Sequence, residues 1–514
     1  MPKFDKKFKG ELRYFLLLNL IQFGIELDRS SKISTLITVL LKSHLPEDSN
    51  EINVDNHLFY LIIDVITRRL LSSLVGLIVG SISDHWTSRY GRRNFFMLIA
   101  LIPFILGTIF LALSGIYPLQ ILESDGNETI TTGPTWITLI LYCIGFLLWT
   151  IGFTTISVMY RSFLLDQFDT SQQNRLNLIK TFYTGLAWIL NYGILMIFTL
   201  STFHYNHQSS ESLEDITRMR QIGCALEYSL CLFSAISLVI GVLLFTYVAQ
   251  EPQYIPSAIN NGDTPQTKKE AIKYCFTNII NGFKSMDASV FSILVVVFFG
   301  WFNYRSYSER MEETYSDKLF PGINHVDTRY LMLMVNSTIQ GIILVILSSI
   351  LYIWDNFMDK FTIISFFING LVAIMYYFVE SMEENGNDKQ LMIKNYFLTA
   401  IPTFFSTMIY CGMKTFPYSL LREFGERERY GVLMGIKNLF VNLSYISAYI
   451  LFVIDELGNE NYQANYMKYI CPICFMTWFV SFLLFYIHDP SNKNRTNDYI
   501  DEGEYMIMES QNNY

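Results

Sequence analysis

The residues of this sequence best suited to chemistry are charged side chains that interrupt long apolar runs. In the first run, Glu26 stands three residues before Arg29 and Asp28 stands four before Lys32, so each pair shares one helix face. An ionisable group in a membrane interior is costly unless it is paired or hydrated, so each is a candidate for function. Such a carboxylate can take up a proton when its cation moves away. The competing interpretation is that each pair only holds its own helix together.

Arg161 ends the fourth apolar run and is a second kind of candidate. A guanidinium can donate two hydrogen bonds at once to a carboxylate or to neighbouring hydroxyl groups, which suits the binding of a polar solute. The competing interpretation is an arginine that extends its charge to the membrane surface. The other charges within apolar runs are Asp64, Arg68, Arg69, Lys180, Glu227, Arg305 and Lys437.

The composition excludes most classes of soluble protein. Of the 514 residues, 51% are hydrophobic and only 16% are charged, against about 25% charged in a typical soluble protein. The net charge of −9 argues against a nucleic-acid partner. The sequence lacks G-x-x-x-x-G-K-[ST], H-E-x-x-H and G-x-S-x-G, and its cysteines lie mostly in apolar runs. We therefore expect a protein of the lipid bilayer that is not an enzyme and uses no cofactor or metal.

Twelve runs are long and apolar enough for transmembrane helices, which need about 20 such residues each. The segments between them hold 21 Lys and Arg residues on the side of the N-terminus, where Lys414 opens the segment 414–430, and 7 on the other side. Since cytosolic loops are richer in Lys and Arg, both termini are predicted to be cytosolic. Asn127, in a sequon, then lies in an outer loop as a candidate for glycosylation. The runs lie near 14–41, 58–83, 94–115, 135–160, 177–202, 223–248, 288–305, 328–353, 362–380, 393–413, 431–454 and 467–488.

A polar segment with three prolines divides these runs into two sets of six. The predicted organisation is an N-terminal six-helix bundle over 1–248, a cytosolic linker over 249–287, a C-terminal six-helix bundle over 288–488 and a cytosolic tail over 489–514. Two bundles joined in this way are the layout of transporters whose halves rock around a central site.

The loop between the second and third runs carries the most specific motif, G-S-I-S-D-H-W-T-S-R-Y-G-R-R, which begins at Gly80. Gly80 lets two helices approach closely, and Gly91 can adopt the positive φ of a tight turn. Asp84 can cap a helix N-terminus or pair with an arginine across the bundle. Arg92 and Arg93 are suitable partners and also fit a cytosolic loop.

This motif resembles S-D-x-x-T-S-R-[FWY]-G-R-R of the plant sucrose–proton symporters, the animal proton-associated sugar transporters and the melanosomal membrane-associated transporter, a branch of the major facilitator superfamily. Other stretches agree: Q-F-G from Gln22, R-S-F-L-L-D from Arg161 to Asp166, N-R-L-N from Asn174 and P-Y-S-L-L from Pro417. The resemblance implies an all-α membrane protein with twelve transmembrane helices in two six-helix bundles, the major facilitator fold. It also implies a sugar as the substrate and a proton as the coupling ion.

The resemblance assigns roles to single residues. Arg161 corresponds to an arginine thought to contact the sugar, and Asp28 to an acidic residue of the animal relatives. Glu313 keeps the acidity of the seventh span, and Asp166 belongs to the inner gate. Trp301 is a candidate for stacking on a sugar ring, with a lipid-facing position as the alternative.

Two departures from the family pattern leave the function open. The family's Asp in the fourth span is Thr150 here, so the proton carrier is either missing or moved to Asp28 or Glu26. Arg68 and Arg69 replace small and proline residues of the second span, so the cavity wall differs. The prediction is proton-coupled symport of sucrose or a related glycoside, in the plasma membrane or an endomembrane. The alternatives are a facilitator or exporter of another small polar solute without proton coupling, and a non-transporting scaffold or sensor; the oligomeric state stays open.

Overall fold

The computed structural model describes most of the helical part of the chain. It covers 6–42, 68–121, 136–208, 213–251, 268–314, 325–372, 389–424 and 429–457, apart from gaps at 87, 89, 250, 285 and 355–356, and single residues or short pieces at 375, 378 and between 476 and 484. Asn127 lies outside these ranges. Some side chains within the helices, including those of Lys32 and Glu313, also lie outside the described part.

Within the described ranges the chain is built from twelve α-helices. In chain order they are α1 (Lys6–Lys42), α2 (Arg68–Asp84), α3 (Arg92–Ile121), α4 (Trp136–Gln167), α5 (Thr170–Gln208), α6 (Leu213–Val248), α7 (Lys268–Lys284), α8 (Ala288–Thr314), α9 (His325–Ile353), α10 (Met358–Val372), α11 (Lys389–Phe424) and α12 (Tyr430–Leu457). We call α1–α6 the N-terminal half and α8–α12 the C-terminal half.

Eleven of the twelve predicted runs coincide with a helix. The last run, 467–488, is described only in short pieces, and the second is described from Arg68 onward. The sequence analysis missed α7, which lies within the predicted linker and is too polar for a membrane span. Among the described residues, five helical stretches are apolar and long enough to cross a bilayer without many charges: Arg92–Ser114, Ile140–Gln167, Ser229–Val248, Ala288–Arg305 and Met334–Ile353.

The polarity of the bundle is that of a membrane protein. Large apolar side chains such as Ile102 and Ile197 point outward and are more than 60% exposed. Many charged and amide side chains are fully buried instead, Glu26, Asp28 and Arg93 among them. Since a soluble protein rarely buries Lys, Arg, Asp or Glu, the outer surface suits lipid and the polar chemistry lies inside.

The two halves meet through close helix crossings at glycine. Gly80 of α2 lies against the backbone of Gly431 in α12, where a Cβ would collide with the Gly431 carbonyl. Gly185 of α5 faces Gly341 of α9, and a Cβ on Gly185 would come within 2.6 Å of the Gly341 carbonyl oxygen. Without side chains between them, the helix backbones touch, as small residues allow at membrane crossings.

The linker helix α7 lies at the end of the bundle that carries the loop 85–91, which we call the loop end. Asn278 donates to Ser81 Oγ of α2 at 3.2 Å, and Ser81 donates to the carbonyl of Cys275 at 3.2 Å. On its other side, Gly282 lies against the side chain of Val432 in α12. The linker helix therefore touches both halves of the chain.

Candidate functional site

A buried ion pair joins the two halves near the centre of the bundle. Lys414 Nζ of α11 lies 2.8 Å from Glu26 Oε1 of α1, and both side chains are at most 4% exposed. Glu26 also accepts hydrogen bonds from Arg29 at 3.1 Å and from Gln22 at 2.8 Å. The predicted Glu26–Arg29 pair is therefore present, but it is part of a larger cluster. Gln22 Nε2 extends that cluster to Thr184 of α5 at 3.3 Å.

The placement of Lys414 corrects the sequence analysis, which counted this residue in an inner loop. The helix α11 continues through Pro417 to Phe424, so Lys414 lies within the helix and is 3% exposed. Membrane helices tolerate proline because neighbouring groups satisfy the backbone that it frees. The charge bias changes only from 21 against 7 to 20 against 7, so the prediction for the termini keeps its basis.

Asp28 lies apart from that ion pair, toward α4 and α6. It is fully buried and accepts a hydrogen bond from Trp149 Nε1 at 2.8 Å and from Ser234 Oγ at 3.4 Å. Ser31 donates to Ser234 at 2.8 Å and completes this polar group. The predicted Asp28–Lys32 pair involves a side chain outside the described part.

Arg161, Lys180 and Lys437 form what we call the basic cluster, with one residue each from α4, α5 and α12. Lys180 Nζ lies 3.7 Å and Lys437 Nζ 3.6 Å from the ring centroid of Tyr418. Lys180 also donates to Asn177 Oδ1 at 2.6 Å. The strongest electrostatic neighbours of Lys437 are Arg161, Lys180 and Lys414, all of them cations.

The basic cluster has no carboxylate partner among the described residues. Lys180 and Lys437 are at most 3% exposed, and the half-buried Arg161 keeps an Nε hydrogen that meets no acceptor there. Like charges in a protein interior repel one another more strongly than in water, because the interior screens charge less. Lys180 and Lys437 both lie over the ring of Tyr418, and a cation over a ring gains about 0.5 to 2 kcal/mol, which offsets part of this repulsion.

Aromatic rings cover the C-terminal side of the site. Trp301 of α8 packs against Tyr304 at 5.9 Å and against Tyr410 at 5.3 Å between ring centroids. Lys414 Nζ lies 5.6 Å from the Trp301 ring and 5.1 Å from the Tyr410 ring. Trp301 is thus inside the bundle, beside the central ion pair, and its lipid-facing alternative is wrong.

Several buried polar atoms of this region have no hydrogen-bond partner among the described residues. They are Trp301 Nε1, Gln22 Oε1, Thr150 Oγ1 and Arg161 Nε. Because an unsatisfied buried donor or acceptor costs about 1 to 3 kcal/mol, such atoms are common where a solute or water binds. Donors and an acceptor beside aromatic rings suit a solute with several hydroxyl groups.

A second charged group closes the loop end. Asp84 Oδ1 lies 2.6 Å from Arg93, and Arg93 Nε lies 2.8 Å from Asp166 Oδ2. Arg92 also reaches Asp166 at 2.8 Å. Gly91 has a φ of 85°, as expected for the tight turn before α3. The structure therefore places Gly80, Asp84, Gly91, Arg92, Arg93 and Asp166 together at the loop end, and their role as a gate stays a prediction.

Asp84 caps a helix N-terminus, as the sequence suggested, whereas its arginine partner lies in its own half and not across the bundle. Besides its pair with Arg93, it accepts the backbone N–H groups of Gly431 and Val432, each at 2.9 Å. These are orphan donors of the first turn of α12, so Asp84 caps a helix of the other half. A single carboxylate thus ties α2 and α3 to α12.

Glu251 is a loop-end residue that the sequence analysis missed. Its Oε2 accepts the backbone N–H of Arg93 at 2.9 Å and of Asn94 at 3.2 Å, and so caps α3. Burial raises the pKa of Glu251 above its ordinary value of 4.5, although both hydrogen bonds act in the opposite direction. The sequence signal was only an acidic residue just after the sixth run.

Comparison with solved structures decides the fold. The human organic anion transporter MFSD10 aligns over 92% of this chain and 99% of its own, with a TM-score of 0.59 and 12% identity. The proton:xylose symporter XylE from E. coli aligns over 92% and 93%, with a TM-score of 0.54 and 12% identity. FucP in its outward conformation aligns over 92% and 98%, with a TM-score of 0.53.

The chain has the major facilitator fold. It is accordingly an integral, multi-pass membrane protein, and the three solved proteins compared above are two transporters and a symporter. No family model matches the sequence. Among curated proteins, the general alpha-glucoside permease of Schizosaccharomyces pombe is 26% identical over 247 residues, which are 47% of this chain and 39% of the permease.

Proposed function

We propose that this chain is a secondary transporter that carries a sugar, or a solute of similar size and polarity, through the centre of the bundle. The observation that carries the proposal is the Glu26–Lys414 ion pair, which links α1 to α11 beside unpartnered polar atoms and aromatic rings. A buried ion pair between two bundles is a contact that rocking of the halves must make and break.

The similarity to other proteins supports the choice of solute. The partial relative is an alpha-glucoside permease, and XylE is a xylose symporter that has been solved with a bromo-deoxyglucose. In this chain, Trp301 and Tyr410 offer ring faces for a pyranose, while Trp301 Nε1 and Gln22 Oε1 offer a donor and an acceptor for hydroxyl groups.

In alternating access, the loop end could open only after the contacts that join the two halves there are broken. Asp84 would give up its two hydrogen bonds to the N-terminus of α12, whereas the pairs of Arg92 and Arg93 with Asp166 lie within the N-terminal half and can stay in place. Because these hydrogen bonds are charge-assisted, breaking them costs free energy that another interaction must supply. We infer that the binding energy of the solute supplies it.

Two carboxylates are candidates to carry a proton that is coupled to transport. Asp28 faces the hydrogen donors Trp149 and Ser234, whereas Glu26 faces Lys414 and Arg29. A proton on Glu26 would release Lys414 and so loosen the tie between α1 and α11. Glu26 is therefore the better placed of the two to couple a proton to rocking, and Thr150 remains an argument for uncoupled transport.

The test is uptake of labelled sucrose, maltose and xylose into proteoliposomes, with and without a proton gradient. Uptake that rises with the gradient and stops with a protonophore would support proton symport of a sugar. Uptake without any response to the gradient would favour a facilitator. If none of the three sugars moves, with the protein folded in the vesicles, a neutral sugar is overturned as the substrate, and another polar solute or a role as scaffold or sensor takes its place. The variant Lys360→Gln, at an exposed lysine, controls for loss of a surface charge.

A further inference from the structure

The charges around the central site do not balance. Glu26 is already engaged by two cations, Arg29 and Lys414. The basic cluster adds an arginine and two lysines, and no carboxylate among the described residues lies within ion-pair distance of them, although Glu26 is near enough to act on Arg161 and Lys180. The other buried acid of this region, Asp28, is bound by Trp149 and by a serine of α6.

Burial makes this imbalance informative. Lys437 is 3% exposed and Lys180 is 1% exposed, and both ammonium groups lie over the same tyrosine ring. A packing role would be served better by a neutral residue, because an unpaired buried charge is expensive to keep. A group of basic side chains whose nearest carboxylate, Glu26, is already bonded to two other cations is an arrangement that suits an anion arriving from outside.

We propose that the transported solute carries an anionic oxygen group, a phosphate ester or a carboxylate, that binds between Arg161, Lys180 and Lys437. This inference rests on the proposed function and names the chemical class of its substrate: a sugar phosphate or sugar acid in place of a neutral sugar. Arg161 supplies the planar pair of donors that suits an oxyanion, and the two ammonium groups supply further donors.

The position of the cluster explains how one solute meets both halves. Arg161 and Lys180 belong to α4 and α5 of the N-terminal half, whereas Lys437 belongs to α12 and the Tyr418 ring that both lysines contact belongs to α11. An anion in the middle pairs with cations of both halves at once. It also relieves their mutual repulsion, so the solute would draw α5 and α12 together.

The test measures binding separately from transport. Thermal unfolding of the purified full-length protein is followed by tryptophan fluorescence at constant ionic strength, with glucose 6-phosphate, glucuronate, inorganic phosphate or maltose. We expect the two sugar anions to stabilise the protein at concentrations at least about tenfold below any effect of maltose, since a good charge-assisted contact contributes about that factor. Stabilisation by inorganic phosphate alone would show an anion site that takes no sugar, and would overturn the substrate class.

The variants Lys437→Gln and Lys180→Gln should each weaken binding of the sugar anions by at least about tenfold, while Lys360→Gln should leave it unchanged. A protein that binds and transports maltose, and neither binds nor transports the anions, would overturn this inference and leave the proposed function standing. Binding of the anions without transport of any solute would keep the anion site, but it would overturn the proposed function and, with it, the anion's place as the transported solute. Equal binding of the anions by wild type and both variants would place the anion elsewhere and overturn it as well.

Discussion

Lys414 and Glu26 are 388 positions apart in the chain, yet their side chains meet at 2.8 Å inside the bundle. The contact joins the first helix of the N-terminal half to the fourth helix of the C-terminal half. Glu26 has Arg29 as a second partner, whereas the electrostatic surroundings of Lys414 are otherwise mostly cationic. Carboxylates are thus scarcer than cations at this site, so the loss of Glu26 and the loss of Lys414 should not have equal effects.

Removing Glu26 should therefore cost more than removing Lys414. Glu26→Gln leaves Lys414 and Arg29 without their carboxylate, so we expect a loss of about 3 to 5 kcal/mol in unfolding free energy and loss of transport. Lys414→Gln leaves the Glu26–Arg29 pair and should cost clearly less. Chemical denaturation of both variants in the same detergent measures the difference in unfolding free energy. Equal losses would contradict the claim that Glu26 serves two cations while Lys414 serves one acid.

Neutralising Lys437 should stabilise the protein while impairing its function. The variant Lys437→Gln removes a buried charge with three cationic neighbours, and we expect unfolding to become harder by about 1 to 2 kcal/mol without solute. Solute-dependent stabilisation should shrink at the same time. A solute-free Lys437→Gln protein that unfolds more easily than the wild type would show that Lys437 supports packing instead.

Loss of Asp84 should open the loop end. Asp84→Ala removes the pair with Arg93 and the cap of α12 together, so we expect about 3 to 5 kcal/mol less stability of the closed state. Cys275, a free and half-buried thiol whose carbonyl accepts from Ser81, is a natural reporter. Its rate of thiol labelling, followed by mass spectrometry, should rise in Asp84→Ala. An unchanged rate would mean that other contacts close this end.

The glycine crossing offers a steric test of the same closure. A Cβ at Gly80 would meet the Gly431 carbonyl, a backbone atom that cannot rotate away, so Gly80→Ala should push α2 from α12. We expect faster labelling of Cys275 and slower transport. Gly193→Ala is the matched control, because its nearest neighbour would be a methyl group of Thr338 at 3.9 Å. If Gly80→Ala and Gly193→Ala have similar effects, the cause is the higher helix propensity of alanine and not a steric clash between α2 and α12.

The buried carboxyl of Glu251 should make stability depend on pH. Its pKa is raised in the folded protein, so the native state keeps this proton at a pH where the unfolded chain has released it. The contribution of Glu251 to stability is thus fully present below pH 4.5 and decreases as pH rises through the raised pKa. The unfolding free energy of the wild type relative to Glu251→Gln should fall over that range. If the unfolding free energies of the two proteins change with pH in parallel, the raised pKa of Glu251 is contradicted.

Contacts within one helix or one loop could be predicted from the sequence, because their spacing is fixed by the backbone. Glu26 and Arg29 meet as the spacing of three requires, and Gly91 takes the positive φ that its loop needs. The helix cap made by Asp84 was also open to prediction, although the helix that it caps was not. The motif names an acid and arginines but says nothing about α12.

Contacts between distant helices could not be predicted in this way. Lys414 follows an apolar run and precedes Pro417, a pattern typical of a helix end, yet α11 continues and buries it. Lys180 and Lys437 were visible as charges within apolar runs, but only the packing brings both onto one ring. The helix α7 was hidden because its polar composition resembles that of the loop around it.

The linker helix α7 also carries an exposed apolar face. Phe276, Ile280 and Phe283 share the outer face of α7 and are 39% to 57% exposed, while Asn278 on the other side holds it to α2. We expect a short helix with apolar side chains on one face and lysines at its ends to lie at the boundary between water and acyl chains. A bilayer of different thickness would then load the hydrogen bonds between α7 and α2, beside the contacts of Asp84 with α12.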